Sequence, residues 1–329
     1  MKRLTLVISV LGIAVIAAAI WAADPRAVAA AIMQAGTASL LVIAARATAV
    51  TLAGSAWWLL FPPKQRPGMR VCMLLRIVRE GANTLLPLTQ VGGDFIAARL
   101  LTFWGIAGTL AAATVMVDVL VQAVTQLIFA LTGLAILAAL DTDSALIHGV
   151  AWGLVLAVPA LTGFYLVQRH WGEALLTGLL RRVARGREWA LHGKVGAVFQ
   201  SLHTLYGRGG ALATTFLAHL AIWFLGAVEV WIALTAMGYD IGYREAIAIE
   251  SLAQAARGAA FVVPSAVGVQ EGGLVVLCGL FGIPAESALA LSLIKRAADV
   301  AVGVPGLIAW HRLEVGRWRK RRRKARTSN

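Results

Sequence analysis

The sequence has few of the residues that metal sites and disulfide-stapled folds require. Its only cysteines, Cys72 and Cys278, are far apart in apolar surroundings, so neither a disulfide framework nor a thiolate metal site is indicated. The six histidines form no pair at metal-ligand spacing. No glycine-rich loop of the nucleotide-hydrolase type occurs, so nothing indicates that this chain hydrolyses ATP. We therefore expect no metal and no cofactor.

Acidic residues are also scarce, with 16 Asp and Glu against 30 Lys and Arg in 329 residues. The basic residues lie between apolar runs, which is typical of membrane anchors rather than of a nucleic-acid-binding patch. Hydrophobic residues make up 59% of the chain and the mean hydropathy is +0.78. Since apolar runs of about 20 residues recur, the composition predicts an integral membrane protein and no nucleic-acid partner.

The order of apolar runs predicts an all-α integral membrane protein with about six transmembrane helices and two re-entrant helical hairpins. Residues 1–312 would form one polytopic membrane domain, followed by a basic tail, 313–329, that we expect to be disordered and to bind anionic lipid headgroups. Residues 4–22 are interpreted as an uncleaved first span. The alternative is a signal peptide cleaved after Ala17–Ala19.

One part of the sequence aligns with another when Pro87 is placed on Pro264, since the same offset places Asp94 on Glu271. We call this constant offset the repeat shift. It indicates a repeat A at about residues 39–140, with a hairpin at 69–105, and a repeat B at about 211–312, with a hairpin at 246–282. Residues 169–208 between them are predicted to be an amphipathic helical connector on the membrane or on the protein; a solvated helical connector is the alternative.

The hairpins are predicted to re-enter because their second limbs are short. Residues 94–104 would extend only about 16 Å as a helix, against a hydrocarbon core of about 30 Å. With the amino terminus inside, the cytoplasmic segments hold 21 Lys and Arg, whereas the outer turns hold only Arg26 and Arg244. This asymmetry predicts that both termini are cytoplasmic and that the two repeats have inverted topology, as in many secondary transporters.

Fourteen charged residues are predicted to lie at membrane depth, seven basic and seven acidic. Exposing all of them to lipid would cost on the order of 40 kcal/mol, so they must face each other or water. They are Arg46, Arg76, Arg79, Arg99, Arg257, Lys295, Arg296, Glu80, Asp94, Asp118, Glu229, Glu250, Glu271 and Asp299.

Asp94 and Glu271 each lie where the second limb of a hairpin begins as a helix. Either carboxylate could simply cap its helix, or it could line a cavity that receives a substrate. Lys295, Arg296 and Asp299 share one helix face, as do Arg76, Arg79 and Glu80, and a structural ion-pair network could explain both groups. A receptor for an anionic lipid headgroup is the alternative for such basic clusters. The Ser292 and Lys295 spacing matches a catalytic dyad, but so short a match is expected by chance.

Three segments carry a resemblance to a known family. Residues 80–87 read EGANTLLP and 91–94 read VGGD; residues 264–273 read PSAVGVQEGG; and Lys295-Arg296 is followed by Asp299. The chain resembles the flippase-like membrane domain of lysylphosphatidylglycerol synthases, and more closely its HpnL-type members associated with bacterial hopanoid biosynthesis. The resemblance implies a bacterial inner-membrane protein that moves or handles a lipid. It implies no aminoacylation, because the soluble aminoacyl-transferase domain is not present in this sequence.

The favoured hypothesis is a lipid translocase for a hopanoid or a phospholipid, with two hairpins gating a charged cavity and no catalytic residue. The alternatives are an intramembrane lipid transferase or hydrolase, and a scaffold for a hopanoid pathway; partner proteins of a lipid-export pathway are also expected. The candidate substrate-binding or gating residues are Glu80, Asn83, Pro87, Gly92, Gly93, Asp94, Arg99, Asp118, Arg257, Pro264, Gln270, Glu271, Lys295, Arg296 and Asp299.

Overall fold

A computed structural model of the chain describes residues 21, 24–86, 92–140, 144–171, 188–260, 266 and 268–327. This part of the chain forms eleven α-helices and contains no strand, which confirms the all-α class. In chain order the helices are α1 Pro25–Ala35, α2 Ala38–Leu59, α3 Met69–Leu85, α4 Gly92–Leu101, α5 Gly108–Ala139, α6 Ser144–Leu166, α7 Glu188–Tyr206, α8 Gly209–Ala236, α9 Tyr243–Ala259, α10 Val269–Gly279 and α11 Ala285–Thr327.

Four stretches of the described chain are helical, long and apolar enough to cross a bilayer, namely Ala38–Leu59, Gly108–Ala139, Ala151–Arg169 and Gly209–Ala236. The protein is therefore a multi-pass membrane protein. Helix α11 is longer still, but Lys295, Arg296 and Asp299 lie within its apolar part. The first predicted span, residues 4–22, lies outside the described residues except for Trp21.

The two short limbs end in the same way. Gly105 follows α4 with φ of 80°, and Gly282 follows α10 with φ of 72°. Both values lie in the left-handed region, which glycine adopts without the steric cost of a side chain. Each glycine therefore turns the chain from a short helix into a long one, α5 or α11, and the repeat shift places one glycine on the other.

Helices of repeat A pack on helices of repeat B, and the contacts follow the repeat shift. The repeat shift places the first residue of α4 on that of α10, and the first residue of α5 on that of α11. Helix α3 packs on α11 of the other half, and its counterpart α9 packs on α5; α2 packs on its own counterpart, α8. The halves are therefore interlocked rather than placed side by side. Their predicted inversion relative to the membrane stays a prediction.

Glycines allow the closest of these crossings. A methyl group on Gly81 or on Gly306 would overlap backbone atoms of the facing helix, at Gly303 and Ile77 respectively. In the counterpart crossing, the close approach is at Gly133, where a methyl group would overlap Ser251. Because a protein interior is close-packed, these contacts fix where the long helices cross.

Two connecting segments also have defined positions. Helix α7, in the predicted connector, buries Phe199, Leu202 and Leu205 and packs on α5, so this part of the connector lies on the protein. The prediction of a disordered tail is wrong for the described residues, because α11 continues as a helix to Thr327. Lysine and arginine are good helix formers, so a helix already started can continue through them.

Candidate functional site

A cavity of about 420 Å³ lies between six helices, α2, α3, α4, α5, α8 and α9, so both halves contribute to it. Among the residues that the structure describes, its wall carries equal numbers of positive and negative residues: Arg46, Arg76, Arg79, Arg257, Glu80, Asp94, Glu229 and Glu250. Uncharged polar side chains also line it: Asn83, Thr84, Gln122, Gln126, His219, Trp223 and Gln254. In a membrane protein, charged residues around an internal space are typical of a substrate pathway.

The first charged cluster is organised around Asp118 of α5, whose side chain is fully buried. Arg79 joins the two acids of this cluster, since its guanidinium lies 2.5 Å from Asp118 Oδ2 and 2.5 Å from Asp94 Oδ1. His219 Nε2 lies 2.9 Å from Asp118 Oδ1, and Gln122 donates to Asp118 Oδ2 at 2.6 Å. Asp118 therefore holds helices α3, α5 and α8 together at one wall of the cavity.

The second cluster is organised around Lys295 of α11, which is 1% exposed. Its ammonium lies 2.8 Å from Glu250 Oε2 and 3.3 Å from Glu229 Oε2. Gln254 donates to the other oxygen of Glu250 at 2.9 Å. A buried lysine between two carboxylates compensates charges that would otherwise be very costly at this depth. It also fixes helices α8, α9 and α11 relative to one another.

One arginine connects the two halves across the cavity. Arg46 of α2 lies 3.1 Å from Glu229 of α8 and 3.4 Å from Asp299 of α11. The other cation near Asp299 is Arg257, at the longer distance of 3.9 Å. Arg46 is thus held by two carboxylates of the second half, whereas Arg257 is held weakly.

Among the charged residues of the cavity wall, Glu80 and Arg257 have the fewest ion-pair contacts to described residues. Glu80 forms no ion pair with any residue that the structure describes, and Arg257 forms only the long contact to Asp299. The repeat shift places Glu80 on Arg257, so they occupy equivalent places in the two halves with opposite charges. A ligand in the cavity would meet one carboxylate and one guanidinium that are available for binding.

Comparison with known families matches most of the chain. The family model described as the lysylphosphatidylglycerol synthase TM region matches residues 9–306. The chain belongs to this family. It is therefore a membrane protein of a lipid-related family. No curated protein and no solved structure matches the chain.

The structure places the sequence-predicted site residues in three groups. Glu80, Asn83, Asp94 and Arg257 line the cavity. Asp118, Lys295 and Asp299 lie behind its wall and contact the charged residues that form it. The third group, described below, consists of residues that are not part of the cavity lining.

Glu271 belongs to the third group, and both of its carboxylate oxygens are occupied. Oε2 accepts the backbone N–H of Gly268 at 2.7 Å, which caps the start of α10. Oε1 lies 2.6 Å from Arg296 and accepts the hydroxyl of Ser292 at 3.1 Å. Glu271 is 2% exposed, so it caps its helix and also ties α10 to α11. Its neighbour Gln270 is buried as well.

Arg99 and the glycines before Asp94 have other roles. The Arg99 side chain is 64% exposed and pairs with Glu314, so it is remote from the cavity lining. Gly93 donates its N–H to Asn83 Oδ1 at 2.6 Å, and a methyl group there would overlap the Arg79 carbonyl, so α4 can begin against α3 only with glycine. Gly92 begins α4. Pro87 and Pro264 lie outside the described residues.

Several lining residues were not among the predicted site residues: Arg46, Arg76, Arg79, His219, Glu229, Glu250, Gln122, Gln126 and Gln254. The charged ones were identified only as intramembrane charges. A signal for the amides exists in α5, because Asp118, Gln122 and Gln126 follow one another at helical i, i+4 spacing and so share one helix face.

The positions of the side chains bear on two alternatives, a catalytic dyad of Ser292 and Lys295 and a metal site. Ser292 donates to Glu271, whereas Lys295 contacts Glu229 and Glu250, so these two residues are engaged with different carboxylates. Among the residues that the structure describes, no three His, Cys, Asp or Glu side chains are grouped to hold a metal ion. The charged groups that the described cavity lining offers to a ligand are arginines and carboxylates.

Proposed function

We propose that the protein translocates a lipid with a polar headgroup across the bacterial inner membrane, and that the headgroup passes through the charged cavity. The observation that carries this proposal is the cavity itself, which both halves line with four arginines and four carboxylates. Membership in a lipid-related membrane family supports a lipid as the ligand.

The charge balance of the wall suits transient binding. Arg46, Arg79 and Glu229 already have partners of opposite sign, so the wall stays stable when the cavity holds no lipid. A polar headgroup crossing the membrane needs partners in place of water, because unpaired polar groups are costly in hydrocarbon. The loosely held Glu80 and Arg257 can supply those partners and release them again.

The two predicted hairpins, residues 69–105 and 246–282, act as gates in this proposal. Each includes a short helix, α4 or α10, that packs on the long helix after it, α5 or α11. With the repeats inverted, one gate faces the cytoplasm and the other faces outward, which is the arrangement that alternating access requires. The HpnL-type resemblance makes a hopanoid the first lipid to test, with phospholipids next.

The test is a vesicle assay with purified protein and a lipid labelled in its headgroup. Movement of unchanged lipid between leaflets, above the rate in protein-free vesicles, would support the proposal. A chemically new lipid would instead identify an enzyme, and neither movement nor product would leave a scaffold role. Extraction and chromatography of the lipid after the assay distinguishes these outcomes.

A matched pair of variants connects the activity to the cavity. Arg257→Gln removes a guanidinium from the wall, whereas Arg99→Gln removes one that is exposed and paired with Glu314. We expect the first change to slow lipid movement at least about tenfold, as loss of one charged hydrogen bond does. The second change should leave the rate within about twofold. Equal rates in both variants would contradict transport through this cavity.

A further inference from the structure

A second space continues from the charged cavity. It measures about 540 Å³ and lies between α5, α6 and α9. Ala123, Gln126 and Gly258 line both spaces, so the two are contiguous. Apart from Gln126, its lining consists of alanine, glycine and leucine. We refer to it as the apolar groove.

The groove lies at a point where the α9–α5 crossing differs from the equivalent α3–α11 crossing. The repeat shift places Gln126 of α5 on Gly303 of α11. In the α3–α11 crossing, Gly81 lies against Gly303. The repeat shift relates this pair to Gly258 and Gln126, in the α9–α5 crossing. A methyl group on Gly258 would lie 3.0 Å from Gln126 Nε2, and this amide donates to the Gln254 carbonyl at 2.7 Å. The side chain of Gln126 therefore occupies the position that, in the α3–α11 crossing, is taken by Gly303, which has no side chain.

Helices α5 and α9 therefore have no glycine-to-glycine contact at this level. Their close contact lies further along α5, at Gly133. The space left beside Gln126 is covered by α6, which packs on α5. Leu154 of α6 is buried and lines the groove, while Leu156 is 69% exposed on the outer side of the helix. Helix α6 therefore forms the outer wall of the groove.

The size and lining of the groove fit a hydrocarbon chain. An apolar protein cavity of about 150 Å³ accommodates benzene, so a space more than three times larger accommodates on the order of a dozen or more carbons. Alanine, glycine and leucine line this slot, and none of the described residues that line it is charged. The neighbouring cavity has the opposite character, with eight charged residues.

We infer that the charged cavity and the apolar groove form one binding site for a phospholipid-like amphiphile. One hydrocarbon chain occupies the groove beside Gly153 and Ala157, and the headgroup occupies the cavity beyond Gln126. This inference rests on the proposed lipid-handling function and adds the place where the chain binds. Gln126 marks the boundary between the two parts, where the linkage of headgroup to chain would lie.

Two glycines of α6 provide a matched test. A side chain at Gly153, which lines the groove, or at Gly149, which does not, meets no atom within 4 Å at its first carbon. Gly153→Phe should fill the groove without distorting the helix, and Gly149→Phe makes the same change outside it. Binding of dipalmitoyl phosphatidylethanolamine to delipidated protein in detergent is measured by native mass spectrometry, with glycerophosphoethanolamine as the chain-free probe.

We expect the native protein and Gly149→Phe to bind one phosphatidylethanolamine per chain and Gly153→Phe to bind it at least about tenfold more weakly, since the blocked slot loses several buried methylenes. The chain-free probe should bind weakly to all three. Equal binding by the two variants, or equal affinity for the two probes, would overturn the inference. Ala157→Phe, also in the groove, replaces Gly153→Phe if that variant is not monodisperse.

This measurement separates the inference from the proposed function. Lipid retention that depends on Gly153, in a protein that moves no lipid in vesicles, would support the groove and overturn translocation. Lipid movement that is unaffected by Gly153→Phe, together with unaffected retention, would overturn the groove and leave translocation supported.

Discussion

Asp118 and Lys295 occupy equivalent positions, related by the repeat shift, and carry opposite charges. Each is buried at the centre of one cluster, Asp118 among donors and Lys295 between carboxylates. The two halves therefore place a charge at the same point of the fold but have changed its sign. Each cluster is stabilised by its own central residue.

Neutralising either central residue should destabilise the protein. Asp118→Asn removes the carboxylate that Arg76 and Arg79 share, and Lys295→Met leaves the buried Glu250 without its cation. We expect each change to lower the free energy of unfolding by about 3 to 5 kcal/mol, because one partner of a buried ion pair remains uncompensated. Thermal unfolding in detergent measures this effect.

The control for these changes is Arg99→Gln, at an exposed ion pair, for which we expect a loss below about 1 kcal/mol. Because Asp118 and Lys295 belong to separate clusters, the double variant should show nearly the sum of the single effects. A double variant as stable as either single variant would show that the clusters are coupled, contrary to the partners described above.

Glu80 and Arg257 should behave in the opposite way. Both line the cavity and neither is held closely by a partner among the described residues, so Glu80→Gln and Arg257→Gln should change the unfolding temperature little. Both should slow lipid movement, because each removes a charge that is available to a headgroup. A strong loss of stability in Glu80→Gln, with normal transport per folded molecule, would argue against a binding role.

The α3–α11 crossing should not tolerate a side chain at Gly306. A methyl group there would overlap the Ile77 carbonyl oxygen, whereas one at Gly316 of the same helix meets no atom within 4 Å. Gly306→Ala should therefore cost about 1 to 3 kcal/mol through overpacking. Gly316→Ala should be neutral or stabilising by up to about 1 kcal/mol, from helix propensity. Equal unfolding temperatures would show that the crossing is looser than described.

The orientation in the membrane is tested by labelling single cysteines from outside intact cells. Cysteines at Thr142 and Asp240 should be modified, and cysteines at Gly186 and Ala325 should be protected, because Lys and Arg are concentrated on the predicted cytoplasmic side. The native Cys72 and Cys278 are buried, so they should contribute little background. The reverse labelling pattern would contradict cytoplasmic termini.

The sequence predicted the helical class because apolar runs and glycine turns are local signals. The equivalent turns at Gly105 and Gly282 could be located from the repeat shift alone. Intramembrane charges could also be identified, since a charge in hydrocarbon must find a partner. What a local pattern does not contain is which distant helix supplies that partner.

Lys295 and Asp299 illustrate this limit, because the structure pairs each with residues of other helices and not with each other. Their i, i+4 spacing places both side chains on one face of α11, but it says nothing of the helices that this face meets. Lys295 contacts Glu250, and Asp299 contacts Arg46, each on another helix. A charged cavity was predicted, but its lining was predicted only in part for the same reason, because its shape depends on six helices at once.

The position of Arg46 has a consequence for how the protein is made. Its partner Glu229 lies in the second half of the chain, so ribosomal synthesis at about 5 to 20 residues per second exposes Arg46 for roughly 10 to 40 s before that carboxylate emerges. During this interval helix α2, which carries Arg46, must remain in or beside the insertion machinery without its partner. Assembly of the first half is therefore completed only when the second half has been inserted.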